Sequence, residues 1–337
     1  MIHGILRILY VYFGLSLLLT IFMVAKMYIV AYRANKKRIG RARRIELIKK
    51  GKWRQQPLYS MSEISENKDL IDVRITIFPN DSGEKGHYAI VLPGGGYAHC
   101  ITEAEGYSIA AGLNKLDITA VVLEYRTGIK CSSHAPMKDL ARTVQFMTDH
   151  AEELNVIPED YGLVGFSAGG NLAGIYGSEF YGYKKYGTLK PGALMIGYPW
   201  TNINHWMDHP YWNIWDGLIG IWFSERGNFF MFGIHPSKEE KESLCVQSWV
   251  DDGFPPTYMF TGDDDILVRS GSHTDVLHKA FKRHNVPYMY QQFYRVPHGV
   301  GLGIGTNAEG WLNEAVSFWG KNINDEKLEK VKLENHL

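Results

Sequence analysis

The stretch Tyr161–Gly174, YGLVGFSAGGNLAG, places a single serine between two glycines. A short run of apolar and small residues ends at Ser167, and Gly165 and Gly169 stand two positions before and after it. A turn sharp enough to expose Ser167 Oγ at the edge of a sheet leaves no room for side chains at those two positions. The pattern therefore predicts a nucleophile elbow between a strand and a helix.

Apolar runs alternate with helical patterns along the rest of the chain. Continuous apolar strands are typical of the covered interior of a parallel sheet, and they occur at 88–92, 119–123, 163–166, 193–198 and 257–260. An alternating run, Val73, Ile75 and Ile77, predicts a half-exposed early strand. The segment Met137–Ala151 predicts an amphipathic helix with Asp139 on its polar face. This alternation predicts an α/β fold with a mostly parallel sheet.

A serine hydroxyl is a poor nucleophile near neutral pH, so it needs a base and a group that orients the base. Both residue types follow later strands, in DDDILV after PTYMFTG and in VPHGVG after YMYQQFYR. The order Ser, Asp, His is the order in α/β-hydrolases. Asp265 lies three residues after Gly262 and three before Val268, and this spacing favours it over the alternative, Asp264. His298, in a glycine-flanked loop, is the predicted base.

The segment Val91–Tyr97, VLPGGGY, closes an earlier strand with three glycines. Their backbone N–H groups can approach a substrate oxygen and, with Ala168 N–H, form an oxyanion hole. We also expect Tyr97 to contact the substrate. A plain glycine turn and a phosphate loop are the alternatives, but a Walker loop needs Gly-Lys-Ser/Thr after the glycines, and Tyr97-Ala98 stands there.

Six segments resemble the esterase and lipase branch of the α/β-hydrolases, in the order IVLPGGGY, AVVLEYR, HAPMKDLARTVQFM, VGFSAGGNLAG, FPPTYMFTGDDDILV and VPHGVGLG. The branch includes hormone-sensitive-lipase-like enzymes and, more closely similar, acetyl-xylan-esterase-like carbohydrate esterases. The resemblance covers about residues 70–320, and Pro93 matches the carbohydrate-esterase side rather than the histidine of the lipase-like group. It implies an α/β-hydrolase fold with Ser167 as nucleophile, Asp265 and His298 as its partners, and Gly95, Gly96 and Ala168 as oxyanion donors.

The expected activity is therefore hydrolysis of carboxylic esters, with an acetyl group on a carbohydrate or another alcohol as the first candidate. This chemistry requires no metal and no organic cofactor. An amidase, peptidase, lipase or acyltransferase of the same fold would share the same motifs. A membrane-tethered binding protein without catalysis is a different class, and the complete triad with its oxyanion glycines argues against it.

Charge and hydropathy at the N-terminus predict a membrane anchor. Ile8–Ala25 holds eighteen residues without a charge, which span roughly 27 Å of helix against a hydrocarbon core of about 30 Å. A cleaved signal peptide is the main alternative, but no good small-x-small cleavage site is present. Nine Lys or Arg residues follow Ala31 within about twenty positions, so the positive-inside rule predicts a cytoplasmic catalytic domain. The membrane, rather than nucleic acid, is the expected partner of this basic segment.

These patterns divide the chain into an anchor at 1–32, a basic juxtamembrane linker at 33–57, a hydrolase domain at 58–322 and a charged tail at 323–337. An insertion at about 200–249 is the predicted cap, and most of its aromatic residues are expected to pack the cap onto the sheet. It contains six of the nine tryptophans, with Phe223, Phe229, Phe230 and Phe232. The cysteines, Cys100, Cys131 and Cys245, are widely spaced, so we expect free thiols rather than a metal site or a disulfide scaffold.

Overall fold

Eight strands form one sheet in the computed structural model, which describes residues 2–132, 134–203 and 214–331. In space the strands follow the order β1-β2-β4-β3-β5-β6-β7-β8. Strands β3 to β8 are parallel, whereas β2 is antiparallel to both of its neighbours, β1 and β4. The strands are β1 (Arg54–Pro57), β2 (Arg74–Phe78), β3 (Gly86–Leu92), β4 (Thr119–Glu124), β5 (Val156–Phe166), β6 (Ala193–Gly197), β7 (Thr257–Gly262) and β8 (Tyr288–Phe293).

Helices cover both faces of this sheet, because each face presents apolar side chains. The helices are α1 (Ile2–Asn35), α2 (Ile39–Lys49), α3 (Met61–Glu66), α4 (Ser108–Lys115), α5 (Ala135–Asp149), α6 (Ala151–Leu154), α7 (Ala168–Gly177), α8 (Ile214–Phe232), α9 (Lys238–Ser243), α10 (Thr274–Arg283), α11 (Trp311–Ile323) and α12 (Glu326–Glu329). Helices α5, α7 and α10 pack with Ile90 and Leu163 on one face, whereas α4 and α11 pack with Val91 and Val164 on the other. The predicted α/β fold with a mostly parallel sheet is confirmed.

Two expectations about exposure were wrong. Strand β2 is buried on both sides, since Thr76 is as inaccessible as Ile75. Gln55 from β1 donates a hydrogen bond to Thr76 at 3.0 Å, and the Tyr107 hydroxyl lies 3.4 Å from Thr76 Oγ1, so these two side chains cover the side that was predicted to face water. On α5, Asp139 is fully buried rather than solvent-facing, because it forms an ion pair with Arg126 at 2.7 Å and accepts a hydrogen bond from Tyr59.

The N-terminal region packs on the domain through its basic residues. In the segment predicted to be a linker, the structure has helix α2 and strand β1. Arg43 is 8% exposed and donates to Asn114 Oδ1 at 2.9 Å. Leu47 is fully buried, in the same apolar cluster as α4. A segment that reads as solvated and basic therefore contributes both apolar contacts and hydrogen bonds to the folded domain.

Helix α1 is long and apolar enough to cross a membrane by length and composition, within the candidate span Leu9–Lys49, and a signal sequence meets the same criteria. Its C-terminal part touches the domain. Lys26 forms an ion pair with Asp264 at 2.5 Å, and Ala34 is 2% exposed. Asn35 Nδ2 donates to Gly299 O at 3.0 Å.

The insertion between β6 and β7 contains α8 and α9, while residues 204–213, with two of its tryptophans, lie outside the described residues. Two other cap tryptophans pack as expected: Trp200 is fully buried, and Trp249 stacks on Phe180 with ring centroids 5.3 Å apart. Helix α8 rests on Trp200, since a Cβ added at Gly227 would lie 2.0 Å from the Trp200 ring. The helix also packs beside α1, where Trp215 Nε1 donates to Phe13 O.

Candidate active site

The turn after β5 holds Ser167 in a strained conformation. Ser167 has φ 50° and ψ −116°, which L-residues rarely adopt. A Cβ at Gly165 would lie 2.4 Å from Gly169 O, and one at Gly169 would lie 2.1 Å from Leu92 O. Only glycine fits at these positions, so the backbone can turn directly from β5 into α7. The predicted elbow is therefore the geometry that the chain adopts.

Three side chains meet beyond the carboxyl ends of strands β5, β7 and β8. His298 Nε2 lies 3.1 Å from Ser167 Oγ, and His298 Nδ1 lies 2.7 Å from Asp265 Oδ2. All three residues are largely buried, with Ser167 3% and Asp265 4% exposed. The structure thus brings the three predicted triad residues into one hydrogen-bonded chain, in which His298 can accept the serine proton while Asp265 orients the imidazole.

The three adjacent aspartates, Asp263 to Asp265, each make a different contact. Asp265 Oδ1 accepts the backbone N–H of Leu267 at 2.9 Å and of Val268 at 2.8 Å, which leaves Oδ2 for His298. Asp264 forms the ion pair with Lys26. Asp263 accepts the backbone N–H of Arg295. Asp265 is the only member of this trio for which the structure gives a hydrogen bond to His298.

The glycine loop lies beside the serine. A Cβ at Gly94 would lie 2.9 Å from Ser167 Cβ, so the loop backbone approaches the elbow closely. Gly95 and Gly96 have φ values of 130° and 60°, which glycine adopts without strain. The amide of Ala168 begins α7 directly after the serine. Gly95 and Gly96 directly follow Gly94 in this loop, and Ala168 directly follows Ser167.

The structure argues against a substrate contact by the side chain of Tyr97. That ring is fully buried, and its hydroxyl donates to Asn171 Oδ1 at 2.7 Å. The ring packs against Tyr125 and Trp200, with centroids 6.2 Å away from each. Tyr97 supports the glycine loop from within the core, because it ties the end of the loop to helix α7.

A buried acid, Glu105, links two loops of the site, and sequence reasoning missed it. Its Oε2 accepts Gly94 N–H at 2.8 Å, and its Oε1 accepts the Tyr198 hydroxyl at 2.8 Å. Tyr198 in turn accepts Gly301 N–H at 3.0 Å, and its ring lies 4.7 Å from the His298 ring. Glu105 therefore connects the glycine loop to the histidine loop. No motif marks this position, although an acid close after a glycine loop is a signal worth testing.

The electrostatics of this network favour a basic histidine. Burial lowers the pKa of His298, but the charge and hydrogen bond of Asp265, with the charge of Glu105, outweigh burial and leave the pKa above its ordinary value. Burial raises the pKa of Glu105, while the hydrogen bond from Tyr198, the charge of His298 and the Gly94 N–H oppose that shift. The two acids together stabilise the imidazolium that forms when serine loses its proton.

A metal site has no support in the described ranges 2–132, 134–203 and 214–331, where no group of three or more His, Cys, Asp or Glu side chains is arranged to hold an ion. The three cysteines are free; burial raises the pKa of the thiols of Cys100 and Cys131. These thiols are protonated near neutral pH and are poor nucleophiles.

Comparison with known proteins agrees with this fold. A family model described as the alpha/beta hydrolase fold matches residues 90–302, which include the glycine loop, the elbow and both partner loops. The chain belongs to the alpha/beta hydrolase fold family. Within this family it is similar to an acetylxylan esterase of Xylanibacter ruminicola, with 29% identity over 74% of this chain and 48% of the relative. It is also similar to the endo-1,4-beta-xylanase B of Butyrivibrio fibrisolvens, with 24% identity over 66% of this chain and 34% of the relative.

Among solved structures, this chain is similar to an acetyl ester-xyloside bifunctional hydrolase from Caldicellulosiruptor lactoaceticus. The TM-score is 0.66 at 25% identity, over 81% of this chain and 97% of the other. The chain spans about half of the acetylxylan esterase and about a third of the xylanase that it matches. The similarity to those two relatives therefore concerns only part of each relative.

Proposed function

We propose that this protein is a serine esterase that cleaves short-acyl esters, acetyl first, of carbohydrates or other alcohols. The observation that carries the proposal is the hydrogen-bonded chain from Ser167 through His298 to Asp265 beside a glycine loop. Acetyl ester hydrolysis is favoured because the relative from Xylanibacter ruminicola is named an acetylxylan esterase.

The reaction proceeds in two steps through an acyl-enzyme. Ser167 Oγ attacks the ester carbonyl while His298 Nε2 takes the serine proton, and Asp265 stabilises the imidazolium. The imidazolium then gives its proton to the leaving alcohol. Water next attacks the acyl-serine carbonyl as His298 takes its proton, and the acid leaves as Ser167 is reprotonated.

The oxyanion that forms in each step is held by backbone amides. Gly94 N–H already donates to Glu105, so the next two amides, Gly95 and Gly96, are the proposed donors together with Ala168. Pre-oriented donors of this kind lower the barrier, because they need no reorganisation when the charge develops.

A series of esters tests the proposal. Full-length protein should release acetate from p-nitrophenyl acetate and from acetylated xylo-oligosaccharides, and it should cleave acetyl faster than acyl chains of eight or more carbons. Aminoacyl anilides should be poor substrates. A rate that increases steadily with acyl length would identify a lipase, and faster cleavage of anilides than of acetates would identify an amidase.

We further propose that α1 is an uncleaved membrane anchor and that the catalytic domain faces the cytoplasm. The supports are the uncharged run Ile8–Ala25, the basic residues that follow it, and the contacts of Lys26 and Asn35 with the domain. Protease added to intact cells or sealed spheroplasts should leave the domain uncut. Digestion without lysis would show that the domain faces outward.

A further inference from the structure

An apolar groove runs between α1 and α8, and none of the triad residues lines it. It has a volume of about 600 Å³. None of its lining residues carries a charge; they are Leu17, Thr20, Ile21, Val24, Ala25, Trp215, Leu218 and Trp222. Two of the three polar side-chain groups of its lining form local hydrogen bonds: Thr20 Oγ1 donates to Ser16 O, and Trp215 Nε1 donates to Phe13 O. The lining thus suits a neutral hydrocarbon.

Both walls of the groove lead to the catalytic loops. On α1, the residue after groove-lining Ala25 is Lys26, which forms the ion pair with Asp264, the neighbour of Asp265. On α8, the backbone at Gly227 rests on the ring of Trp200. The backbone N–H of Trp200 donates to the carbonyl of Ser167 at 3.0 Å. Each helix that walls the groove therefore also contacts, within two turns of the groove lining, a residue bonded or adjacent to a member of the triad.

A basic residue follows the groove lining on each wall, in the direction of the catalytic loops. Lys26 ends the uncharged run of α1, and the Arg226 guanidinium lies 4.7 Å above the ring of Trp222 on α8. Tryptophan and basic residues are typical of the boundary between hydrocarbon and water. Their position between the groove and the catalytic loops fits a groove on the hydrocarbon side and a triad on the aqueous side.

We propose that the α1–α8 groove binds the hydrocarbon tail of a membrane-dissolved acetate ester, with the tail on the alcohol half of the substrate. The inference rests on the proposed esterase function. An ester that lies in the bilayer reaches Ser167 without transfer of its tail into water, a transfer that becomes less favourable with each methylene. The anchor helix is then part of the substrate site as well as a tether.

Groove-filling variants of the full-length protein, reconstituted in lipid, test this assignment with three substrates. Leu218→Trp and Val24→Trp place a larger side chain in the groove. Leu18→Trp is the matched control: Leu18 is similarly exposed, at 64% against 50% for Leu218, but it does not line the groove. The substrates are p-nitrophenyl acetate, dodecyl acetate and p-nitrophenyl dodecanoate.

We expect both groove variants to lower kcat/KM for dodecyl acetate at least tenfold. Their kcat/KM for p-nitrophenyl acetate should stay within about twofold of wild type. Leu18→Trp should leave kcat/KM for both acetates unchanged. Unchanged turnover of dodecyl acetate would mean that the groove holds only bulk lipid and would overturn the proposal. An equal loss on both acetates, or a loss confined to p-nitrophenyl dodecanoate, would also overturn it. Failure of the wild-type protein on both acetates would instead refute the esterase function itself.

Discussion

Substituting asparagine for Asp265 should switch the tautomer of His298 and abolish its role as a base. Two backbone N–H groups, from Leu267 and Val268, donate to Asp265 Oδ1. They require an oxygen at that position, so in the Asp265→Asn variant the new amide nitrogen must take the place of Oδ2 and donate to His298 Nδ1. The proton of the neutral imidazole then sits on Nε2, which can no longer accept the proton of Ser167.

The expected cost of Asp265→Asn is about 10⁴ in kcat, or about 5.4 kcal/mol of transition-state stabilisation. The assay is p-nitrophenyl acetate hydrolysis, with thermal unfolding measured in parallel to show that the variant is folded. Asp264→Asn and Asp263→Asn are the matched controls, because their side chains bind Lys26 and the Arg295 backbone instead of His298. They should stay within a few-fold of wild type. Retention of more than a tenth of the activity by Asp265→Asn, or a large loss in Asp264→Asn, would refute the reasoning.

The buried acid gives a second prediction: Glu105→Gln removes a negative charge that raises the pKa of His298. The imidazole then stays neutral to lower pH, so the acid limb of the kcat/KM profile should move to lower pH. Glu103 is an exposed acid of the same segment, and the control substitution Glu103→Gln should leave the acid limb in place. An unmoved limb in Glu105→Gln would contradict the electrostatic role of this residue. The elbow gives a third prediction. Gly169→Ala puts a Cβ 2.1 Å from the backbone oxygen of Leu92 and 2.6 Å from that of Pro93, and it should lower the free energy of unfolding by at least about 3 kcal/mol. Gly86→Ala, where the described residues leave the space open, should stay within about 1 kcal/mol, and equal stabilities in urea denaturation would count against the steric argument.

The parts of the site that sequence could predict are those with a local steric or periodic signal. Gly165 and Gly169 mark the elbow because any Cβ there meets backbone. Asp265 and His298 follow apolar strands, and the carboxyl ends of parallel strands meet at one edge of the sheet. Each of these features is marked by residues within a few positions of it, so it can be recognised without knowing which distant segments it contacts.

The features that escaped depend on contacts between distant segments. Glu105 lies in the polar-looking run TEAEGY, and only the packing of that π-helical segment, Thr102–Tyr107, buries its carboxylate beside Gly94 and Tyr198. Tyr97 follows the glycines as a pocket residue would, yet its ring turns into the core. The pairing of α1 with α8 joins residues about 200 positions apart. The sequences of the two helices do not separate polar from apolar residues clearly enough to indicate which face has a partner.

The most direct test of Ser167 as an activated nucleophile is to trap its acyl-enzyme. Full-length protein mixed with excess p-nitrophenyl acetate, quenched in acid and digested, should give an acetylated peptide that maps to Ser167, together with a burst of p-nitrophenol that approaches one equivalent if deacylation is the slower step. The Ser167→Ala and His298→Ala variants should remain folded and lose the adduct and at least about 10⁴ of the turnover. Wild-type-like hydrolysis by Ser167→Ala, or an acetyl group on another residue that is needed for turnover, would contradict the account.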